Sequence, residues 1–168
     1  MSDGTSQPHR YLIALGSNVR HAQYGSPRAV LRQAVGALGD IGTIVAVSRT
    51  IDSAPIGPSK RRYANGAAIV ASECEPPALL RTLKNIERRF GHRRGGRWQA
   101  RTLDLDIILW SGGMFASPAL SIPHAEFRHR SFVLGPAAAI APDWRDPIGG
   151  LSLRRLNARL TKPRPAPS

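Results

Sequence analysis

The sequence predicts an α+β fold: a ferredoxin-like plait of β-α-β-β-α-β order, with helices packed on an antiparallel sheet and extra helices at the C-terminal end. Three observations predict it. Four short apolar runs are bounded by turn clusters. Two proline-opened stretches, with apolar residues at three- and four-residue spacing, follow the first and the third of these runs. The 168 residues are 42% hydrophobic, which suits one domain with tails and can fill a core.

The elements follow in order. Residues 1–9 read as a flexible tail, and 10–150 as the folded domain. Tyr11 to Leu15 is an apolar run closed by Gly16-Ser17-Asn18, which reads as a buried strand. Pro27 opens a helix through Ala29, Val30, Ala34, Val35 and Leu38, and Gly39 stops it. Thr43 to Ser48 is β-branched and reads as a second strand. Residues 50–62 hold Pro55, Gly57 and Pro58 and read as a loop, and Ala64 to Ser72 as a third strand. Pro76-Pro77 starts a helix with Leu79, Leu80, Leu83, Ile86 and Phe90 on one stripe, ended by Gly91. After a Gly/Arg loop, Leu103 to Trp110 is the fourth strand. Helical character returns around 130–141 and 151–160. Residues 151–168 form an extension whose Pro-rich end reads as disordered.

Lys and Arg total 24 against 11 Asp and Glu, a net charge of +13. That excess invites a polyanion partner. Lysine occurs only at positions 60, 84 and 162, so arginine, whose fork suits bidentate phosphate contacts, supplies the charge. No apolar run is long enough to span a membrane. The single cysteine, Cys74, excludes an internal disulfide and a cysteine-rich zinc site. The start lacks the apolar stretch of a secretory signal, so cytoplasm is the expected compartment.

Against this cationic background the carboxylates are informative. Asp104 and Asp106 interrupt an apolar strand, and strand periodicity puts both on one face, with Leu103, Leu105, Ile107 and Leu109 on the other. Their Cα atoms should lie roughly 6.6–7 Å apart, and side chains from that spacing can converge on metals. The plainer alternative is an exposed edge strand whose aspartates form salt bridges.

Residues 88–101 carry Arg88, Arg89, Arg93, Arg94, Arg97 and Arg101, with three glycines and Trp98 among them. Cations for phosphates, an indole for a planar ring and two hard carboxylates for Mg²⁺ together describe a nucleoside triphosphate site. Arg88 and Arg89 fit equally well as a solvated helix end, where cations favour the dipole. The stretch from Pro123 to Phe132 adds His124, Arg130 and Phe132 as further phosphate donors and an aromatic face. The loop at Ser53-Ala54-Pro55-Ile56-Gly57 is stiffened by proline. Asn65 offers an amide to a heterocycle edge, or stabilises a turn.

Taken together, ALGSN at 14–18, SAPIG at 53–57, YANGAA at 63–68, RWQARTLDLDIILW at 97–110 and PHAEFRHRSFVL at 123–134 resemble the 6-hydroxymethyl-7,8-dihydropterin pyrophosphokinase family, from about Tyr11 to Gly149. The family has the same ferredoxin-like core. The resemblance implies Mg²⁺-dependent transfer of diphosphate from ATP to the pterin's hydroxymethyl group, releasing AMP, in folate biosynthesis. It implies that Asp104 and Asp106 hold two Mg²⁺ ions and act in catalysis with Arg94 and Arg101. It assigns ATP to Arg94, Trp98, Arg101, Ile107, His124 and Arg130. It assigns the pterin to Ser53, Pro55, Ile56, Tyr63, Asn65, Trp98 and Phe132, the two rings sandwiching it, while Glu87 supports the loop.

The sequence departs from the family pattern at His92, Gln99-Ala100, Ala119 and Ala125, for which altered affinity rather than lost activity is expected. The expected partners are ATP and the pterin, without nucleic acid or membrane, and the expected state is a monomer. Two other readings share parts of the pattern. A metal-dependent nucleotide phosphohydrolase would use the carboxylates but leaves Trp98, Phe132 and Asn65 without a role. An RNA-binding plait domain would suit the charge, but its central strands carry stacking aromatics that residues 65–72 lack.

Overall fold

The structure is a computed structural model and describes residues 7–53, 63–91, 102–163 and 165–167. The apolar run around Tyr11 sits at the heart of it, in β1 (His9–Ser17). β1 pairs antiparallel with β4 (Tyr63–Ser72) on one side and β5 (Asp104–Trp110) on the other. Side chains alternate across the strand: Tyr11, Ile13 and Leu15 enter one core and Leu12 enters another. A strand covered on both faces has no polar side to show, which is why it reads as a continuous apolar run.

The outer edge of β4 pairs with β2 (Thr43–Val47) and then with β3 (Ile51–Ser53). The sheet order is therefore β2-β4-β1-β5, with β3 continuing the edge, and every pairing is antiparallel. This is the predicted plait. One correction concerns β3. Its three residues lie in the stretch read as a loop, because an exposed Ile51 and two polar residues give no alternation; pairing with Tyr63–Asn65 makes the strand.

α1 (Pro27–Leu38) starts at proline, with Ser26 Oγ accepting from the Ala29 N–H at 3.3 Å. α2 (Pro76–Phe90) buries Leu79, Leu83, Ile86 and Phe90. Both helices pack on the face of the sheet that carries Tyr11, Ile13 and Leu15. The opposite face is covered too. α3 (Ser131–Ile140) lies across β4, and α4 (Leu153–Thr161) packs on α3. Leu153 at the start of α4 is fully buried, so the C-terminal extension contributes to the second core. Between β5 and α3 the chain forms a two-stranded ribbon, β6 (Phe115–Ala116) with β7 (Ser121–Ile122), then a cis Ile122–Pro123 bond and a 3-10 turn at Phe127–His129.

A bulge in β5 corrects the face assignment. Ile13 pairs with Ile107 but Leu12 pairs with Leu109, so Ile108 is an extra residue. Before the bulge Leu105 and Ile107 face α1 and α2; after it Leu109 joins Ile108 in the other core. Leu109 is thus not on the face of Leu105 and Ile107, as strict alternation predicts. Among the described residues, no helix is long and apolar enough to cross a membrane.

Candidate active site

The α3 side of the sheet opens into a cleft of about 270 Å³. Its floor is a row of residues brought side by side by the strand register: Asp104 pairs with Gly16, and Gly16 with Asn65. With strands about 4.8 Å apart, the Cα atoms of Asp104 and Asn65 stand roughly 10 Å from one another across a glycine. Asp106 occupies the next position, opposite Ala14. The small residues on β1 keep the space between the aspartates and Asn65 open. A Cβ on Gly16 would come within 3.3 Å of Asn65 Oδ1.

Asp104 and Asp106 are both half-buried and line the cleft, as their spacing predicts. Their strand is anchored from behind. Glu87 on α2 accepts the Leu105 N–H at 2.8 Å and lies 3.2 Å from Lys84 Nζ. The residue between the two aspartates is therefore tied to the helix layer. The resemblance gives Glu87 a role in supporting the loop that precedes β5; its contact among the described residues is with β5 itself, and the loop at 92–101 lies outside them.

At the far end of the row, Asn65 is buried, and its Nδ2 donates to Ser53 Oγ at 2.6 Å. Tyr63 pairs with Ser53 in the ladder and also borders the cleft. The roof is the start of α3, where Arg130, Phe132 and Val133 face the floor. The Arg130 guanidinium lies 5.9 Å from the centre of the Phe132 ring, within cation–π range.

His124 is held beside this group. Its N–H donates to the Ile108 carbonyl at 3.0 Å, and its Nδ1 accepts the Glu126 N–H at 3.1 Å, which leaves the proton on Nε2. Burial lowers the His124 pKa below its usual value, and the Arg130 charge lowers it further, against the opposing pull of Asp106. The imidazole is neutral at pH 7. It is a hydrogen-bond donor through Nε2 rather than a fixed cation.

The predicted site residues thus divide into three groups. Ser53, Tyr63, Asn65, Asp104, Asp106, Arg130 and Phe132 are gathered around one cleft, and His124, outside its lining, feels the charges of Asp106 and Arg130. The Ile107 side chain is on the opposite face, in the core under α1 and α2, so only its main chain is near the aspartates. Pro55, Ile56, Arg94, Trp98 and Arg101 lie outside the described residues, as do His92, Gln99 and Ala100. Ala119 and Ala125 are exposed.

Sequence reasoning missed Arg128 and Asp146. Arg128 Nε and Nη2 grip the two oxygens of the fully buried Asp146 at 2.5 and 2.7 Å, and Asp146 also accepts the Ile148 N–H. This pair clamps the 3-10 turn between His124 and Arg130. In sequence the two residues are simply one cation among many and one acid in a Pro/Gly stretch.

Among the described residues, no group of three or more His, Cys, Asp or Glu side chains is gathered for a metal. Two hard carboxylates on one strand face, open to a cleft, instead suit Mg²⁺ that keeps part of its shell from water and ligand phosphates. The donor set fits that ion.

Comparison with known proteins bears on what the cleft does. Residues 12–142 match the family described as 7,8-dihydro-6-hydroxymethylpterin-pyrophosphokinase (HPPK). A Synechocystis protein named 2-amino-4-hydroxy-6-hydroxymethyldihydropteridine pyrophosphokinase is 34% identical over 160 residues, 92% of this chain and 78% of that one. A Pseudomonas aeruginosa protein of the same name is 39% identical over 143 residues, covering 83% and 85%. Among solved structures, the Plasmodium falciparum HPPK-DHPS wild type with SDX-DHP superposes with a TM-score of 0.70 at 12% identity, a likeness of fold. That match covers 91% of this chain, which spans only 44% of the Plasmodium one.

Proposed function

We infer the chemistry of the cleft from a firm premise: the chain belongs to the 7,8-dihydro-6-hydroxymethylpterin-pyrophosphokinase family and is a pyrophosphokinase of folate biosynthesis. The finer reading is diphosphate transfer from ATP to the hydroxymethyl oxygen of 6-hydroxymethyl-7,8-dihydropterin. The observation that carries it is the cross-sheet row. Carboxylates on β5 and an amide on β4 face one cleft, with a glycine between them, so a phosphate end and a heterocycle end are provided on one floor.

Asn65 and Ser53 meet the edge of the pterin, and Phe132 stacks on its face, which fixes the hydroxymethyl group toward the aspartates. Asp104 and Asp106 would hold Mg²⁺, which would supply neutralisation of phosphate charge and Lewis-acid polarisation of the acceptor oxygen. Arg130 supplies a fixed positive charge on the α3 side, and His124 donates from Nε2 to a phosphate oxygen. In the transfer, the hydroxymethyl oxygen forms a bond to the β-phosphorus as the bond to the α,β-bridging oxygen breaks. AMP leaves, and the hydroxyl proton passes to solvent. Positioning and charge stabilisation supply the catalysis, as in other phosphoryl transfers.

The test is AMP release from ATP and Mg²⁺ with and without the pterin alcohol. Release that depends on the pterin, with stoichiometric diphosphate ester, is the expected result. Equal release without pterin would identify a nucleotide phosphohydrolase. No release under either condition, together with RNA binding, would identify a binding module.

A further inference from the structure

A second groove lies on the other side of the sheet. Between α1 and the β2–β3 edge there is an opening of about 460 Å³, larger than the catalytic cleft. Gly66, which pairs with the helix-facing Leu15, leaves that side of β4 without a side chain at this point. Leu31 and Val35 of α1 form one wall and Val47 of β2 the other. Arg28, Arg32 and Arg49 stand around the rim. Arg28 is partly neutralised: its Nη2 lies 3.1 Å from Asp52 Oδ2, and its Nη1 donates to the Thr50 carbonyl. Among the described residues, Arg32 and Arg49 have no carboxylate partner.

We propose that this groove is a second binding site, for an organic anion whose apolar body is about the size of a bicyclic ring and whose carboxylate or phosphate meets Arg32 and Arg49. The opening falls within the size range of sites that enclose small molecules. The apolar wall is costly to leave in water, and the exposed guanidiniums of Arg32 and Arg49, with no carboxylate partner among the described residues, are available to pair with a ligand's anion. An anion with a flat apolar body covers the wall and pairs the forks at once. A purely apolar ligand would leave the charges unpaired, and inorganic phosphate would leave the wall wet. The site is independent of the catalytic reading, since none of its arginines has a part in the cleft.

The full ¹⁵N-labelled chain is titrated with 2-naphthoate, 2-naphthyl phosphate and, as an uncharged control, 2-naphthol. The expected result is saturable movement of the Val47 and Gly66 amide resonances with either acid, persisting when the catalytic cleft is filled with a nonhydrolysable ATP analogue, Mg²⁺ and pterin. The tighter of the two acids identifies the anion class. Arg32→Ala with Arg49→Ala should weaken binding about tenfold or more, as expected for loss of a charge-assisted pair. Val35→Trp, which fills the groove while leaving all three arginines in the sequence, should abolish it. Pyrophosphokinase turnover should be unchanged in all three substitutions. Movement confined to Asp104 and Phe132, equal affinity in the double variant, or equal binding of 2-naphthol would each overturn the proposal.

Discussion

Asn65 Nδ2 donates to Ser53 Oγ across 2.6 Å, joining β4 to the short strand at its edge and leaving the amide oxygen of Asn65 beside the bare Cα of Gly16. The bond orients a buried amide that has few rotamers left to choose from. Ser53→Ala removes the acceptor and should raise KM for the pterin about tenfold, with a smaller effect on kcat, because a buried donor left unpaired costs about 1–3 kcal/mol. Ser53→Thr keeps the hydroxyl and should restore most of the affinity. Unchanged KM in Ser53→Ala would remove Asn65 from the pterin site.

The aspartates are tested by charge alone. Asp106→Asn preserves shape and should lower kcat by about 100-fold or more, in the range seen when one transition-state-stabilising group is lost. The Mg²⁺ concentration for half-maximal rate should rise. Circular dichroism should be unchanged. Full Mg²⁺-dependent turnover in this variant would refute the assignment of Asp106 to the metal.

Glu87 is a support rather than a contact. Glu87→Ala deprives the Leu105 N–H of its acceptor and should lower Tm by several degrees, with an accompanying fall in kcat as the aspartates on either side lose their register. Glu87→Gln still offers an oxygen at that position. It should recover stability and turnover together, which a purely electrostatic role for Glu87 would not allow.

The Arg128–Asp146 clamp gives a pH signature. Burial pushes the Asp146 carboxyl upward, but the Arg128 hydrogen bonds, the Ile148 N–H and the guanidinium charge outweigh it and hold the pKa below the ordinary 3.8. A carboxyl depressed in the folded state contributes stability above its unfolded value and loses it as pH falls through the folded one. Asp146→Asn should therefore destabilise the protein at pH 7, and the gap to the unaltered chain should shrink below about pH 4. Asp146→Ala, which removes the acceptor of the Arg128 and Ile148 hydrogen bonds while leaving a partly solvated guanidinium, should cost about 1–3 kcal/mol at neutral pH. A gap that stays constant from pH 7 to pH 3 would show that the clamp does not depend on charge.

Much of the framework was legible from the residues. Proline at the first turn of α1 and α2, the apolar stripes through Leu79, Leu83, Ile86 and Phe90, and the alternation of Asp104, Leu105, Asp106 and Ile107 are local patterns, and local patterns report the element that bears them. Three features escaped. Ile51–Ser53 becomes a strand only because Tyr63–Asn65 lies beside it. Leu109 changes face because of a bulge whose extra residue, Ile108, is as apolar as its neighbours. Arg128 finds Asp146 across 18 residues, a pairing that no spacing rule selects from so many arginines.

By itself the sequence determined the kinds of group available: two hard carboxylates on one strand face, an amide, aromatic rings and an excess of guanidinium, in an order that forms a plait. Only the tertiary structure decided which of them meet. Register set Asp104, Gly16 and Asn65 in one row, and α3 brought Arg130 and Phe132 over that row, while the Ile107 side chain was turned away. The physical reason is that side-chain period and capping are written within a few residues. Strand pairing and helix docking are settled by burial of apolar surface between segments far apart in the chain.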